Sequence, residues 1–471
     1  MKKRVFISGV TGTMGKSGLK HLLEHLDILE IVTLVRPSKT NKKIMSQYAG
    51  SIDIIWGDLE NYDDVKKALL NVDYILHVAA LVSPMADSQP DLAYRVNVGS
   101  IKNILRAISE LNLSEVKLVN IGSVAQTGSR MYPIHWGRVG DPIKASVDDY
   151  YATTKTIAER LVIESGLKYW VSLRQTGILH YGLLNLFDPI MFHQPLDNVL
   201  EWVSEDDSGR LLANLCLKDL PHNFYKNIYN IGRGESCRIN NYEFLQKMLK
   251  VIGVRDIEKI FEPQWFALKN FHGQFYLDSD KLNDFLDFRR ESLDDFLIRL
   301  KKDVKLPATL LKYVPANLTK NLIMKKICQK PSGPLAWIKN NESEKIKAFY
   351  GSIDNFNNIP SWDKLVVRSN YAKKVILDHG YNEAKTKLDF KDILKVAKFR
   401  GGYILSPPAD FINLDSQLLW KCAFNHKFKA SVRLVLKTGH FCPECEAPPW
   451  NYKNIAKKNS FFDQVYKKET Q

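Results

Sequence analysis

Short apolar runs and helical periods alternate along the first 180 residues. Residues 4–8 form a β-rich run, 14–26 has apolar positions at helical spacing, and 31–35 is a second apolar run. A helical stretch at 65–70, a strand at 74–78, a helix at 96–111 and a strand at 116–121 continue the pattern. Strands apolar on both faces, separated by helices, predict a parallel sheet covered on both sides, a doubly wound α/β fold. From about residue 195 the pattern loosens into helices and short strands, as a substrate-binding lobe would. Pro307, Pro315, Pro331, Pro334 and Pro360 then punctuate amphipathic pieces such as 308–328, which reads as an extension passing into a connector.

Composition narrows the class. The chain has 471 residues, 45% hydrophobic and 25% charged, which is globular but too long for one compact domain. No apolar run approaches the roughly 18 residues that cross a bilayer; the best, 28–35, is interrupted by Glu30 and Thr33. The basic start Met1-Lys2-Lys3-Arg4 lacks the export core of about 7 to 15 apolar residues behind it, so a cytoplasmic protein is expected. Charge is uneven. Residues 366–471 hold 19 lysines and arginines against 10 carboxylates, more than half of the chain's net +15. Cys216, Cys237 and Cys328 are scattered, whereas Cys422, Cys442 and Cys445 cluster in that tail, where a reducing compartment favours metal over disulfide.

The first strand runs into Gly9-Val10-Thr11-Gly12-Thr13-Met14-Gly15. Glycines between strand and helix let the backbone turn tightly and lie against a pyrophosphate at free helix N–H groups. Gly15-Lys16-Ser17 imitates a phosphate loop, but the glycine that motif needs five residues earlier is Val10. At the end of the second strand, where an acid would bind a ribose 2′-OH, stands Arg36, whose guanidinium suits a 2′-phosphate. NADP is therefore expected, with NAD second.

Further along come Gly57-Asp58-Leu59, His77-Val78-Ala79-Ala80, Asn97-Val98-Gly99, Gly122-Ser123 and Tyr151-Ala152-Thr153-Thr154-Lys155. Their order and spacing resemble the extended short-chain dehydrogenase/reductase family of epimerases, dehydratases and carbonyl reductases, over roughly residues 1–300. The resemblance implies a Rossmann body with a small substrate lobe. It places Gly9, Thr11, Gly12, Thr13, Met14, Gly15, Arg36, Asp58, Leu59, Ala79, Ala80, Asn97 and Lys155 at the cofactor, and Ser123, Tyr151 and Lys155 at the chemistry.

The Tyr-x-x-x-Lys spacing has a physical reason. With a pKa near 10, about one tyrosine in a thousand is ionised at neutral pH. A lysine four residues on shares its helix face and favours the phenolate, which can exchange a proton with a carbonyl or alcohol while hydride moves. The register selects Tyr151, four residues before Lys155, over Tyr150, which is assigned to packing or to lining the pocket. Ser123 would hydrogen-bond the substrate oxygen as charge develops. Beyond Lys155, Arg174-Gln175-Thr176-Gly177 opens the lobe, and the segment with His193, Leu196, Val199, Leu200 and Trp202 is more apolar than sugar-binding.

In the tail, Trp420-Lys421-Cys422-Ala423-Phe424-Asn425-His426-Lys427-Phe428 precedes a β-like run at 430–436 and then Cys442-Pro443-Glu444-Cys445. Three thiolates and one imidazole, Cys422, His426, Cys442 and Cys445, make a closed tetrahedral zinc site; His440 is a competing ligand. The spacing resembles zinc-ribbon and treble-clef modules, in which glycine usually stands at the position of Asn425. Trp420, Phe424, Phe428, Phe441 and Trp450 would serve either a base-stacking face or a metal-stapled mini-core.

The expected division is 1–300 for the dinucleotide-binding body, with the lobe mostly in 180–300, then 301–360 for a helical extension and connector, and 361–471 for a basic zinc-stapled α+β domain. The leading expectation is an NADP-dependent oxidoreductase acting on a carbonyl or alcohol of a small, fairly apolar substrate, with structural Zn2+. One alternative is a nucleotide-sugar epimerase or dehydratase with tightly bound NAD(P). Another is a cofactor-dependent sensor or scaffold that binds a partner or nucleic acid through the tail. A small-molecule substrate and no membrane are expected, nucleic acid is not favoured, and a homodimer is compatible with the sequence.

Overall fold

The computed structural model describes residues 2–185, 188–304 and 313–470. Its body runs β1 (Lys3–Ile7), α1 (Thr13–Leu23), β2 (Leu29–Val35), β3 (Asp53–Trp56), α2 (Tyr62–Ala68), β4 (Tyr74–His77), α3 (Ser100–Glu110), β5 (Lys117–Ser123), α4 (Tyr150–Ile163), β6 (Tyr169–Gln175), α5 (Glu205–Leu217) and β7 (Asn227–Ile231). The seven strands are all parallel, in the order β7-β6-β5-β4-β1-β2-β3. Strand order reverses between β1 and β4, so the carboxyl ends of these two strands open the crevice where such sheets bind ligands.

Burial explains the strands. In β2 every residue except Glu30 is buried, and the Thr33 hydroxyl donates to the Ile7 carbonyl (2.7 Å). Alternate residues feed opposite faces: Val5 and Ile7 pack with α1 and α5, whereas Phe6 packs with α2 and α3. Strand β3, absent from the expected pattern, is a four-residue edge strand that is only half-buried. Helices α1 and α5 approach through glycine: a Cβ on Gly18 would meet Leu212, and one on Gly209 would meet Ser17.

The lobe has its own core, in which Trp202 stacks on Phe244 (4.2 Å, 12°) and Phe192 packs edge-on to Phe261 and Phe266. The expected helical piece at 308–328 lies outside the described residues up to 312; 316–328 is helical.

The tail consists of α6 (Phe390–Phe399), a three-stranded antiparallel sheet of β8 (Tyr403–Ile404), β9 (Gln417–Lys421) and β10 (Lys427–Ser431), and α7 (Val432–Lys437). The β-like run expected at 430–436 is thus corrected. The Ser431 hydroxyl accepts from the Leu434 amide and starts a helix there, and Val432, Leu434, Val435 and Leu436 are buried in that conformation as they would be in a strand. Nor does the tail stand apart. Ile393, Leu418, Trp420 and Leu434 share one buried cluster with Ile101, Ala158, Val162 and Trp170 of the body. Among the described residues no helix is long and apolar enough to cross a membrane.

Candidate active site

The glycine-rich turn lies at the carboxyl end of β1. Gly9 has φ +75°, and a Cβ there would sit 2.8 Å from the Ala79 amide nitrogen; a Cβ on Gly15 would lie 2.2 Å from the Gly9 carbonyl oxygen. Only glycine leaves this backbone bare. Gly12 caps α1 without a side-chain hydrogen bond, which leaves first-turn N–H groups to a ligand. The Ser8 hydroxyl accepts from the Val78 and Ala79 amides (3.0 and 3.1 Å) and tethers the loop after β4.

A cavity of about 760 Å³ opens here, lined by Gly9 to Gly15, Arg36, Asp58, Leu59, Ala79, Ala80, Tyr151 and Lys155. Its bare glycines and free helix N-terminus fit a dinucleotide. Arg36 is exposed at its rim; its carbonyl accepts from Ser38 and Asn41, and its guanidinium makes no ion pair among the described residues. Asn97 is buried behind the cavity wall, where its amide accepts from the Leu81 amide (2.7 Å) and donates to the Leu81 carbonyl and the Thr154 hydroxyl (both 2.9 Å), so it braces the loop after β4 against α4.

Helix α4 brings Tyr151 and Lys155 to the cavity floor, its N-terminus capped by Asp149 through the Ala152 amide (2.7 Å). Burial pushes the Tyr151 phenol up to about 12; a hydrogen bond with Ser123 opposes this, and Asp149 and Asp87 add to it. Burial pulls Lys155 down to about 8 against the attraction of Glu159, and its ammonium donates to the Ile121 carbonyl (2.7 Å). Ser123 also caps the turn at 124–127, with Gln126 closing the reciprocal bond (2.7 Å). Three supporting residues escaped sequence reasoning: Ser8, Gln126 and Ser100. They carry no spacing signal, because each serves its neighbours through contacts that no local motif encodes: Ser8 with His77, Val78 and Ala79, Gln126 with the Ser123 amide, and Ser100 with His77. His77 sits between the Ser8 and Ser100 hydroxyls (3.1 and 3.2 Å), and burial followed by the nearby Lys155 charge holds it neutral, near 3. Tyr150 packs its ring edge-on against Trp450 (5.2 Å).

A second chamber of about 690 Å³ adjoins the first and shares Ser83, Ile190, Phe271 and His272 with it. Trp337 and Phe349 of the extension line it, together with Asp87, Asp148, Asp149, Asp188, Glu342 and Lys345. Lys345 is already paired with Asp148 (2.7 Å). Burial, then Asp149, raises Asp87 to about 6.

In the tail, the ligand atoms of Cys422, His426, Cys442 and Cys445 all lie within 4.8 Å of one another. Asn425 adopts φ +68°, a conformation asparagine tolerates, so the first turn keeps its shape without glycine. The thiols crowd: hydrogen bonding from Cys445 draws Cys442 down to about 6, while the same pairing pushes Cys445 far up. Three sulfurs and an imidazole nitrogen converging on one point make a donor set that fits zinc, which takes cysteine as thiolate. His440 is no ligand, because its two nitrogens face Glu159 and Glu446. Trp420, Phe428 and Phe441 are buried, which makes them the mini-core and removes them from any base-stacking face.

Residues 6–176 match the 3-beta hydroxysteroid dehydrogenase/isomerase family. A 3-beta-hydroxysteroid dehydrogenase of Mycolicibacterium neoaurum is 27% identical over 207 residues, which is 42% of this chain and 52% of that protein. A UDP-glucose 4-epimerase of Rickettsia bellii is 30% identical over 138 residues, 28% of this chain and 39% of that one. The chain thus spans about half the length, or less, of these curated relatives. The dTDP-glucose 4,6-dehydratase DesIV of Streptomyces venezuelae, solved with NAD, superposes with a TM-score of 0.52 at 20% identity, covering 64% of this chain and 96% of that one.

Proposed function

Because the body has the extended short-chain dehydrogenase/reductase fold and its motifs in order, we propose that the chain is an NADP-dependent oxidoreductase acting on a carbonyl or alcohol of a small, fairly apolar, uncharged substrate. The observation that carries this reading is the meeting of Tyr151, Lys155 and the glycine cradle in one cavity, with Ser123 hydrogen-bonded to Tyr151. A bound nicotinamide would supply or accept the hydride. Tyr151 passes the proton at its phenolic oxygen, Ser123 hydrogen-bonds the substrate oxygen, and the Lys155 ammonium lowers the cost of the phenolate. Arg36 supports NADP over NAD, since no carboxylate competes for its guanidinium.

The nucleotide-sugar alternative draws on the epimerase and dehydratase relatives. The adjoining chamber speaks against it. A sugar nucleotide needs cations for its diphosphate, and among the chamber's described residues the lysine is already paired and carboxylates prevail. Trp337 and Phe349 suit an apolar skeleton instead. The test is incubation with NADPH and a panel of apolar carbonyl compounds, reading nicotinamide absorbance. Turnover of UDP- or dTDP-glucose without net absorbance change, and none of the panel, would favour the alternative.

A further inference from the structure

We propose that the metal knuckle is a positioning element of the active site: metal at Cys422, His426, Cys442 and Cys445 orders residues 438–446, and these fix α4 through Glu159 and Arg160. The inference rests on the reading of α4 as the helix that carries the chemistry.

Tyr151, Lys155 and Glu159 are spaced four apart and so share one row of α4. The Glu159 carboxylate is fully buried, and a buried carboxylate is tolerable only when its oxygens are satisfied. Its partners are Ser172 (2.8 Å), Arg174 (2.6 Å) and, from the tail, His440 (3.1 Å). Arg174, itself buried, turns a further N–H to the Thr438 carbonyl (2.8 Å). One residue along the helix, Arg160 donates to the Phe441 carbonyl (2.5 Å) and lies 3.5 Å from Glu446, the neighbour of Cys445. A turn later Glu164 accepts from the Ser431 hydroxyl (2.6 Å).

The knuckle sets the geometry of these donors. Cys442 and Cys445 bracket a single helical turn whose Glu446 accepts from His440 (2.9 Å) and from the Phe441 amide. Gly439, at φ +85°, lies against Asp141, where a Cβ would meet the carbonyl oxygen at 2.0 Å. Residues 438–441 therefore run between the metal cluster and the catalytic helix with little room to shift. A self-contained staple would not need this face.

The test uses the full chain and no substrate. Hydrogen exchange over peptides of 150–163 and fluorescence titration with NADPH are measured with zinc bound and after chelation. Without zinc, α4 should exchange about tenfold faster or more, and NADPH should bind about fivefold or more weakly, while peptides of 29–45 on the far half of the sheet stay unchanged. Returning zinc should reverse both effects. Faster exchange confined to 420–446, with α4 and NADPH affinity unaltered, would overturn the proposal. If the zinc-free chain unfolds, Arg160→Met with zinc retained decides the matter. It should loosen α4 and weaken NADPH at one zinc per chain, and Arg160→Lys, which keeps a donor for the Phe441 carbonyl, should recover most of the loss. Parent-like exchange and affinity in Arg160→Met would refute the link. Because neither readout involves turnover, failure here is distinguishable from failure of the catalytic assignment.

Discussion

Replacing Arg36 with Asp tests the cofactor reading at one side chain. The guanidinium stands exposed at the cavity rim, without an ion pair among the described residues, so its hydrogen-bonding capacity is available to a 2′-phosphate. A charge-assisted hydrogen bond contributes about 1.5–3 kcal/mol. A carboxylate in its place adds repulsion of about 1 kcal/mol at this solvated rim. Together the loss is about 2.5–4 kcal/mol, a weakening of NADPH by roughly 70- to 1,000-fold. NADH has no phosphate to lose, and the new carboxylate can accept from a 2′-OH for about 1 kcal/mol, so its affinity should hold or rise a few-fold. Fluorescence titration with both reduced cofactors at low and raised salt reads the effect, and the parent's NADPH advantage should shrink with salt. Equal weakening of both cofactors, or no change in their ratio, would show that Arg36 is a solvated surface residue.

Tyr151→Phe should abolish turnover of whichever carbonyl the panel identifies and leave NADPH affinity within about twofold, whereas Tyr150→Phe, which alters a ring packed on Trp450, should be mild; the reverse order would break the register with Lys155. Gly15→Ala places a Cβ 2.2 Å from the Gly9 oxygen and should cost NADPH binding tenfold or more, with intact affinity counting against the cradle. Glu159→Gln should cost about 3 kcal/mol in urea unfolding at neutral pH. Against burial, which raises it, the Arg174 charge and His440 hold Glu159 down to about 2 from an ordinary 4.5. That stability is therefore present above about 4.5 and lost as pH falls towards 2, so the gap between parent and variant should close over that window; a gap independent of pH would contradict this. Trp420→Ala, in the shared core, should cost about 3–5 kcal/mol and lower the unfolding of body and tail together. Separate transitions, with the body unmoved, would mean two units.

What the sequence made legible follows from how locally each feature is encoded. Strands β1, β2, β4 and β5 are short apolar runs that must be buried on both faces, so their pattern is visible in any stretch of five to seven residues. The glycine turn and the Tyr151–Lys155 spacing are equally local. Strand β3 escaped because an edge strand buries only half its surface and lacks such a run. The stretch 432–437 misled because four buried apolar residues in a row satisfy a strand or a helix, and the Ser431 cap decides between them. The bracing by Asn97 is not legible in its motif, because a motif reports proximity, not direction, and the bonds of its amide to Leu81 and Thr154 join segments far apart in the chain. The contact between the tail and α4 had no local signature, since Glu159 and His440 are separated by 281 positions.

The same distance problem conceals how the connector works. Residues 361–389 contain no helix or strand, and a segment of that length without regular structure would ordinarily suggest a loose tether. Here the body and lobe hold it along its length. The Trp362 indole donates to the Phe261 carbonyl (3.0 Å), the Trp136 indole donates to the Tyr371 carbonyl (2.8 Å), His379 meets Asp141 (2.9 Å), and Arg138 pairs with Glu383 (2.7 Å). Each contact fixes a point on the connector and shortens the free chain between successive points, which reduces the entropy left to be lost when the tail docks. The connector thus delivers α6 and the knuckle to α4 already oriented. The two faces of the tail then divide its character: Lys427 and Lys429 are exposed to solvent and account for part of its basic excess, while His440, Glu446 and the Phe441 carbonyl turn inward to Glu159 and Arg160 of the body. Glu159 and Arg174 cannot be fully satisfied by the body alone, because a carboxylate oxygen and a guanidinium N–H take their partners from residues 438–440. Body and tail are in this sense one solution to the burial of a single charge pair.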